Sequence, residues 1–267
     1  MLKLTIRRIT SHILVTFIFI STIIHYISRC SFGENCETEL APYYDTCKIK
    51  NSFALTFDDG PHKYTDDLLD ALQDTKSTFF VCGHTYSCIY DNAETLRRAY
   101  LAGHQIALHT WSHPNLNTLT RSEIHSELTS LETALRKIIG AVPRYFRLPY
   151  GAGAGNATLM SVLREYNYTV IGWDIDAGDS VGSTVETSKK QYANVLKWMW
   201  LKRRSHISLQ HDPIESTSKT LIGWVIKYIK GFGYEFRTIG ECLGENDWRS
   251  WYKEITTSQE RDETWVC

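Results

Sequence analysis

The chain has 267 residues, 43% of them hydrophobic, and a formal net charge of −1 at pH 7. That length and apolar content suit one large domain with a sizeable core. The balanced charge argues against nucleic acid as a partner, because a phosphate backbone demands a basic face. Most of the 8 Trp and 15 Tyr serve packing, but flat rings also stack on sugar rings, so a carbohydrate-binding face fits the same composition.

Lys3, Arg7 and Arg8 precede an apolar run over 13–24. A bilayer span needs about 20 apolar residues, so 1–30 reads as a secretory signal peptide. An uncleaved signal anchor is the alternative, and only that case makes a membrane a partner. Residues 31–46 read as an N-terminal extension. Beyond Cys30, six cysteines remain: Cys36, Cys47, Cys82, Cys88, Cys242 and Cys267. They form an even set without a Cys-x-x-Cys pair, which points to disulfides in a secreted or cell-wall protein. The expected pairs are Cys82–Cys88, Cys47–Cys242 and Cys36–Cys267. Asn156 and Asn167 stand in Asn-x-Ser/Thr sequons, which are glycosylation sites in a secreted chain.

From 53 onward, short apolar runs alternate with amphipathic stretches. Strands are expected at 53–57, 77–81, 104–109, 144–148, 168–173 and 206–211. Helices are expected between them, one N-capped by Thr65, one ending at Gly103, and one from a Thr120–Glu123 capping box to Gly140. Such alternation implies an α/β fold, a parallel sheet covered by helices. We expect a single catalytic domain over 47–243, a distorted (β/α) barrel, complete or incomplete, with 244–267 as a polar appended tail.

Active sites of parallel α/β folds gather at the carboxyl ends of strands. Here those ends carry Asp58 and Asp59, then His109 and His113, then Arg147, then Asp176 and Asp179, then His211. Two histidines four apart share one face of a helical turn, as in helical zinc pairs. With one carboxylate they suit Zn²⁺, or Fe(II) in a facial triad. An Asp-Asp pair then has a purpose. One carboxylate holds the cation, and its neighbour takes a proton from a water whose pKa the cation lowers towards ~7. Arg147 would orient or ionise the base, and the backbone N–H of Tyr150 would donate to an oxyanion. His211, on a distant strand, suits a general acid held by Asp176 or Asp179. No phosphate-binding P-loop pattern occurs.

The segments TFDDG (56–60), HTWSH (109–113), RLPYG (147–151), DAGD (176–179) and LQH (209–211) resemble, in this order, the five motifs of the polysaccharide deacetylase family, carbohydrate esterase family 4. The resemblance covers about 47–243 and is strongest to secreted fungal-type chitin deacetylases. It implies a distorted (β/α) barrel and a divalent metal, usually Zn²⁺, with Co²⁺ or another transition metal as substitutes. It implies Asp58 as base, Asp59, His109 and His113 as ligands, and Arg147 paired with Asp58. Tyr150 would complete the oxyanion hole, and His211 would be the acid tuned by Asp176. The implied substrate is an acetylated polysaccharide such as chitin, without a stable protein partner. Acetylxylan or peptidoglycan are alternative substrates, and a glycan-binding pseudoenzyme or an Fe(II) oxygenase are rival functions. Two residues depart from the family pattern: Ser180 stands where Trp is usual, and Leu148 where Pro is common.

Overall fold

A computed structural model describes residues 39–199 and 204–267. The expected signal segment, Cys30 and Cys36 lie outside the described residues. From the amino side come β1 (Tyr43–Tyr44) and β2 (Ser52–Asp58), the latter buried along its whole length. Helix α1 (Thr65–Leu72) leads into β3 (Thr78–Val81), α2 (Ala93–Leu101) into β4 (Gln105–Leu108). Helix α3 (Arg121–Ile139) leads into β5 (Ala141–Pro143) and β6 (Tyr145–Phe146). Helix α4 (Ala157–Glu165) precedes β7 (Thr169–Ile171) and β8 (Ile175–Asp176). Helix α5 (Val185–Met199) precedes β9 (His206–His211), followed by α6 (Ile222–Gly231), β10 (Glu235–Phe236), α7 (Ile239–Cys242) and β11 (Tyr252–Ile255).

The main sheet runs β1-β7-β6-β4-β3-β2-β9-β8, with β10 also on β2. Its pairings are parallel. Central strands covered on both faces need apolar residues at every position rather than at alternate ones. "SFALTFD" largely follows this, with Phe53, Ala54, Leu55 and Phe57 all fully buried and with Ser52, Thr56 and Asp58 as its buried polar exceptions. The fold is the expected incomplete (β/α) barrel, with β1 and β8 as its edges. Parallel register brings Asp58 level with Phe80 and His211, so the carboxyl ends of β2, β3 and β9 open onto one rim.

Local signals hold where they are strong. Thr120 and Glu123 form the reciprocal cap of α3, and Gly140 ends it at φ 67°. Thr65, by contrast, is the first residue of α1 and not its N-cap. Its hydroxyl accepts the His62 N–H at 2.8 Å and bonds to Asp212 instead.

Three expectations are corrected. The residues after 243 are not an appendage. Strand β11 pairs antiparallel with β5, and Trp251, Tyr252 and Trp265 are buried. Cys82 does not pair with Cys88: it is a buried free thiol, set against the His109 carbonyl at 3.3 Å. The returning tail brings Cys267 to Cys88 instead, which also removes the expected Cys36–Cys267 bond. The Cys47–Cys242 bond is present and ties the approach to β2 to the end of α7. Among the described residues, no helix is long and apolar enough to cross a membrane.

Candidate active site

Asp59, His109 and His113 converge. The Asp59 Oδ1 atom lies 3.6 Å from His109 Nε2 and 3.4 Å from His113 Nε2, and the two Nε2 atoms are 3.2 Å apart. Ligands about 2.0–2.2 Å from a tetrahedral Zn²⁺ stand roughly 3.3–3.5 Å from one another. The observed edges match that triangle. Asp59 Oδ1 is buried without a hydrogen-bond partner, which is costly unless a cation meets it. The His109 Nδ1–H donates to the Arg147 carbonyl at 2.8 Å; this fixes the tautomer with the Nε2 lone pair facing Asp59. Burial lowers the His109 ring to about 3, against the opposing charge of Asp59, so it is neutral and able to ligate. The donor set therefore fits a divalent cation, and these residues form the one such group found among the described residues.

The histidine pair does not ride on a helix, as its spacing suggests. Residues 109–113 are an irregular loop with a bend at Trp111–Ser112, with Thr110 at φ 73° and His113 at φ 59°. Asp59 at φ 75° and Tyr150 at φ 60° are left-handed too. For non-glycine residues this conformation costs of order 1 kcal/mol or more each. Its concentration at one rim shows backbone strain held where side chains must be aimed. The Trp111 and Ser112 N–H groups both donate to Glu127 Oε2, at 2.9 and 2.8 Å, so α3 anchors the bend.

Asp58 has a different environment from Asp59. Arg147, fully buried, donates from Nη1 to Asp58 Oδ1 at 2.7 Å and to Thr56 Oγ1 at 2.7 Å. Its other nitrogens donate to the Ile171 and Gly172 carbonyls at 3.2 and 3.0 Å. The guanidinium also packs over the Phe80 ring at 4.0 Å. This arginine is no surface ion pair. It joins β2, β6 and the end of β7. The second oxygen of Asp58 faces His109 Nε2 at 3.6 Å. Burial raises the Asp58 carboxyl above its ordinary range, while Arg147 and His211 pull the other way without cancelling it.

Across the rim, His211 Nδ1 bonds to Asp179 Oδ1 at 2.8 Å. The expectation that Asp176 tunes His211 is corrected here. Asp176 is exposed and accepts the Gly178 N–H at 2.7 Å, closing its own turn. Asp179, three residues on, is buried and also accepts from the His211 N–H at 2.9 Å and Thr217 Oγ1 at 2.7 Å. Burial pushes Asp179 up, but His211 and Thr217 together hold it below the ordinary carboxylate range. Burial likewise disfavours charge on His211. The Asp179 hydrogen bond and charge, with Asp58 and Asp59 behind them, outweigh it and raise the ring to about 9.

Asp58, Asp59, His109, His113, Asp176 and His211 line a cleft of about 480 Å³ whose walls include Tyr86, Leu148, Tyr150, Trp173, Ser180 and Leu209, with Arg147 and Asp179 behind it. Tyr150 is exposed, with its ring 4.6 Å from that of His113. Sequence reasoning missed Thr56 and Thr217, whose hydroxyls face the buried ion pairs, and Asp212. The Asp212 carboxylate is buried and pushed by its burial to about 7. It also explains Gly60, where a Cβ would stand 1.9 Å from Asp212 Oδ2. The Asp immediately after His211 was a readable signal; the two threonines had none.

The family model for polysaccharide deacetylases matches residues 45–171. A chitin deacetylase of Pestalotiopsis sp is 40% identical over 211 residues, which span 78% of this chain and 68% of that protein. A chitin deacetylase of Colletotrichum lindemuthianum is 36% identical, over 78% of this chain and 85% of that protein. The solved structure of the chitin deacetylase from the fungal pathogen Colletotrichum lindemuthianum superposes with a TM-score of 0.75 at 34% identity, covering 80% of this chain and 96% of that one. The chain belongs to the polysaccharide deacetylase family.

Proposed function

We propose that the protein hydrolyses the N-acetyl groups of N-acetylglucosamine units in chitin, releasing acetate and leaving glucosamine. The observation that carries this reading is the separation of the two adjacent aspartates. Asp59 turns an unpartnered oxygen towards two imidazoles, whereas Asp58 is gripped by a buried arginine. Asp59, His109 and His113 would hold the metal, and two imidazoles with one carboxylate favour Zn²⁺. When bound, that ion polarises an acyl oxygen and lowers the pKa of a water towards ~7.

The remaining work falls to the chain. Asp58 takes a proton from the attacking water, and Arg147 keeps its carboxylate aimed. The Tyr150 N–H donates to the oxygen that becomes negative as the acyl carbon turns tetrahedral. His211, protonated and held by Asp179, gives its proton to the departing nitrogen from Nε2. An amine leaves poorly without that proton, so a raised histidine pKa serves amide cleavage at neutral pH. The comparisons with fungal chitin deacetylases support the polymer, and the disulfides support an extracellular setting.

The test is acetate release from chitin oligomers, with a chelator and then with Zn²⁺ restored. Release that stops with the chelator and returns with Zn²⁺ is expected. A protein that binds the oligomers and yields no acetate would be a glycan-binding module on this scaffold.

A further inference from the structure

After β3 the chain runs through residues 82–88 without regular secondary structure, apart from one bridge between His84 and Cys88. This segment bonds to both parts of the proposed metal site. On one side, the Cys82 N–H donates to the Gly60 carbonyl at 2.8 Å. The Thr85 hydroxyl donates to the carbonyl of Asp59 itself at 3.2 Å, and the Ser87 hydroxyl to that of Pro61 at 2.8 Å. On the other side, the Gly83 and His84 N–H groups donate to the Thr110 and Trp111 carbonyls at 3.3 and 2.7 Å, between the two histidines. A Cβ on Gly83 would stand 2.0 Å from the Trp111 ring, so only glycine lets the segment lie this close.

Burial does little to hold residues 84–88. His84 and Tyr86 are exposed, and Thr85, Ser87 and Cys88 are half-buried. The Cys88–Cys267 bond fixes their far end, and the tail that carries Cys267 is well anchored. Trp265 is buried, with its ring 5.4 Å from that of Tyr90, which lies 6.4 Å from that of Trp111. Arg261 donates to the Tyr90 carbonyl at 3.2 Å, and Lys137 of α3 to the Thr264 carbonyl at 3.1 Å.

We infer that residues 82–88 are a strap that positions the metal donors, and that the Cys88–Cys267 bond sets metal affinity by tethering this strap to the tail. The inference rests on the metal triad of the proposed function and goes beyond it. Thr85, Cys88 and Cys267 belong to none of the five motif segments. Asp59 and His113 are left-handed, at φ 75° and 59°, a conformation that persists only where the surroundings enforce it. A site assembled for part of the time binds more weakly in proportion. The strap keeps both turns in place before an ion arrives. Thr85 is thus a positioning residue, acting on the ion through Asp59.

The second disulfide supplies the control. Cys47 and Cys242 are 195 residues apart against 179 for Cys88 and Cys267, so the two bonds constrain the unfolded chain about equally. Cys47, however, precedes β2, at the opposite end of that strand from Asp59. The test measures Zn²⁺ affinity by chelator competition, at a temperature where circular dichroism shows each protein folded. It compares the wild type with Cys88→Ser/Cys267→Ser, Cys47→Ser/Cys242→Ser and Thr85→Val. Affinity should fall roughly 10–100-fold without the Cys88–Cys267 bond and about tenfold in Thr85→Val, while the Cys47→Ser/Cys242→Ser protein keeps the wild-type value. Wild-type affinity in Thr85→Val or in Cys88→Ser/Cys267→Ser overturns the inference. So does an equal loss in both disulfide variants, which would reflect general destabilisation. Thr85→Val keeps both disulfides and decides alone if a serine variant does not fold. A wild type that binds Zn²⁺ and releases no acetate would sink the deacetylase reading, and the same affinities would still uphold the strap.

Discussion

Asp58 and Asp59 are neighbours in sequence with opposite surroundings, so the same exchange should fail differently at each. In Asp58→Asn the amide oxygen still accepts from Arg147, and the ligand triad is untouched. Metal affinity should persist while kcat falls by about 10²–10⁴. Asp59→Asn removes the anionic ligand and should weaken metal binding by at least about 100-fold. Chelator competition and steady-state rates separate the two; a metal-free Asp58→Asn protein would reverse the assignments. His211 supplies a pH test. Its native pKa of about 9 exceeds the ordinary value of ~6.5. The stabilisation from its pair with Asp179 is therefore complete below about pH 6.5 and lost as pH rises through about 9. The alkaline limb of kcat/KM should fall there, and Asp179→Asn should move it to lower pH. A limb that stays put removes His211 from the acid's role. Most of this site was legible because strand ends concentrate functional polar groups. The choice between Asp176 and Asp179 was not. It depends on how a turn closes on itself: Asp176 faces the Gly178 N–H while the next turn delivers Asp179 to His211.

At the scale of elements, legibility follows the number of local signals. Strand β9 and helix α3 are readable because Ile207 and Leu209 alternate with polar residues in the one, and the Thr120–Glu123 cap and Gly140 bound the other, all within one segment. Strand β6 is only Tyr145–Phe146, shorter than the expected 144–148, although the Arg147 N–H still donates to the Leu108 carbonyl of β4 at 2.9 Å. The tail escaped notice because its polar composition hides a few large anchors, Trp251, Tyr252 and Trp265, whose partners lie far back in the chain. Disulfide pairing has the same long-range character. Cys88 and Cys267 are 179 residues apart, and their bond ties the tail to the loop bearing Tyr86. Closing so long a loop removes much denatured-state entropy, and loss of a native disulfide typically costs about 2–5 kcal/mol. At roughly 2–4 °C per kcal/mol for a domain of this size, Cys88→Ser with Cys267→Ser should lower Tm by about 5–15 °C in calorimetry. An unchanged Tm would mean that the buried tail aromatics hold that end unaided.

For the whole molecule, the proposed metal site draws on two distant parts of the chain. Asp59 follows β2 and the histidines follow β4, so only the assembled sheet brings the three donors together. An ion that binds the native state and finds no equivalent site in the unfolded chain stabilises by mass action, about 2.7 kcal/mol at 100 times Kd. That should raise Tm by roughly 5–10 °C when Zn²⁺ is added to chelator-stripped protein. The unpartnered Asp59 oxygen makes the gain larger than Coulomb attraction alone, because the ion also ends a buried polar group's isolation. Asp59→Asn should lose most of the rise, whereas Asp58→Asn should keep it, since Asp58 is satisfied by Arg147 with or without an ion. The comparison needs no substrate, so it tests the site separately from the reaction. Equal Tm shifts in wild type and Asp59→Asn would place the stabilising ion elsewhere on the protein.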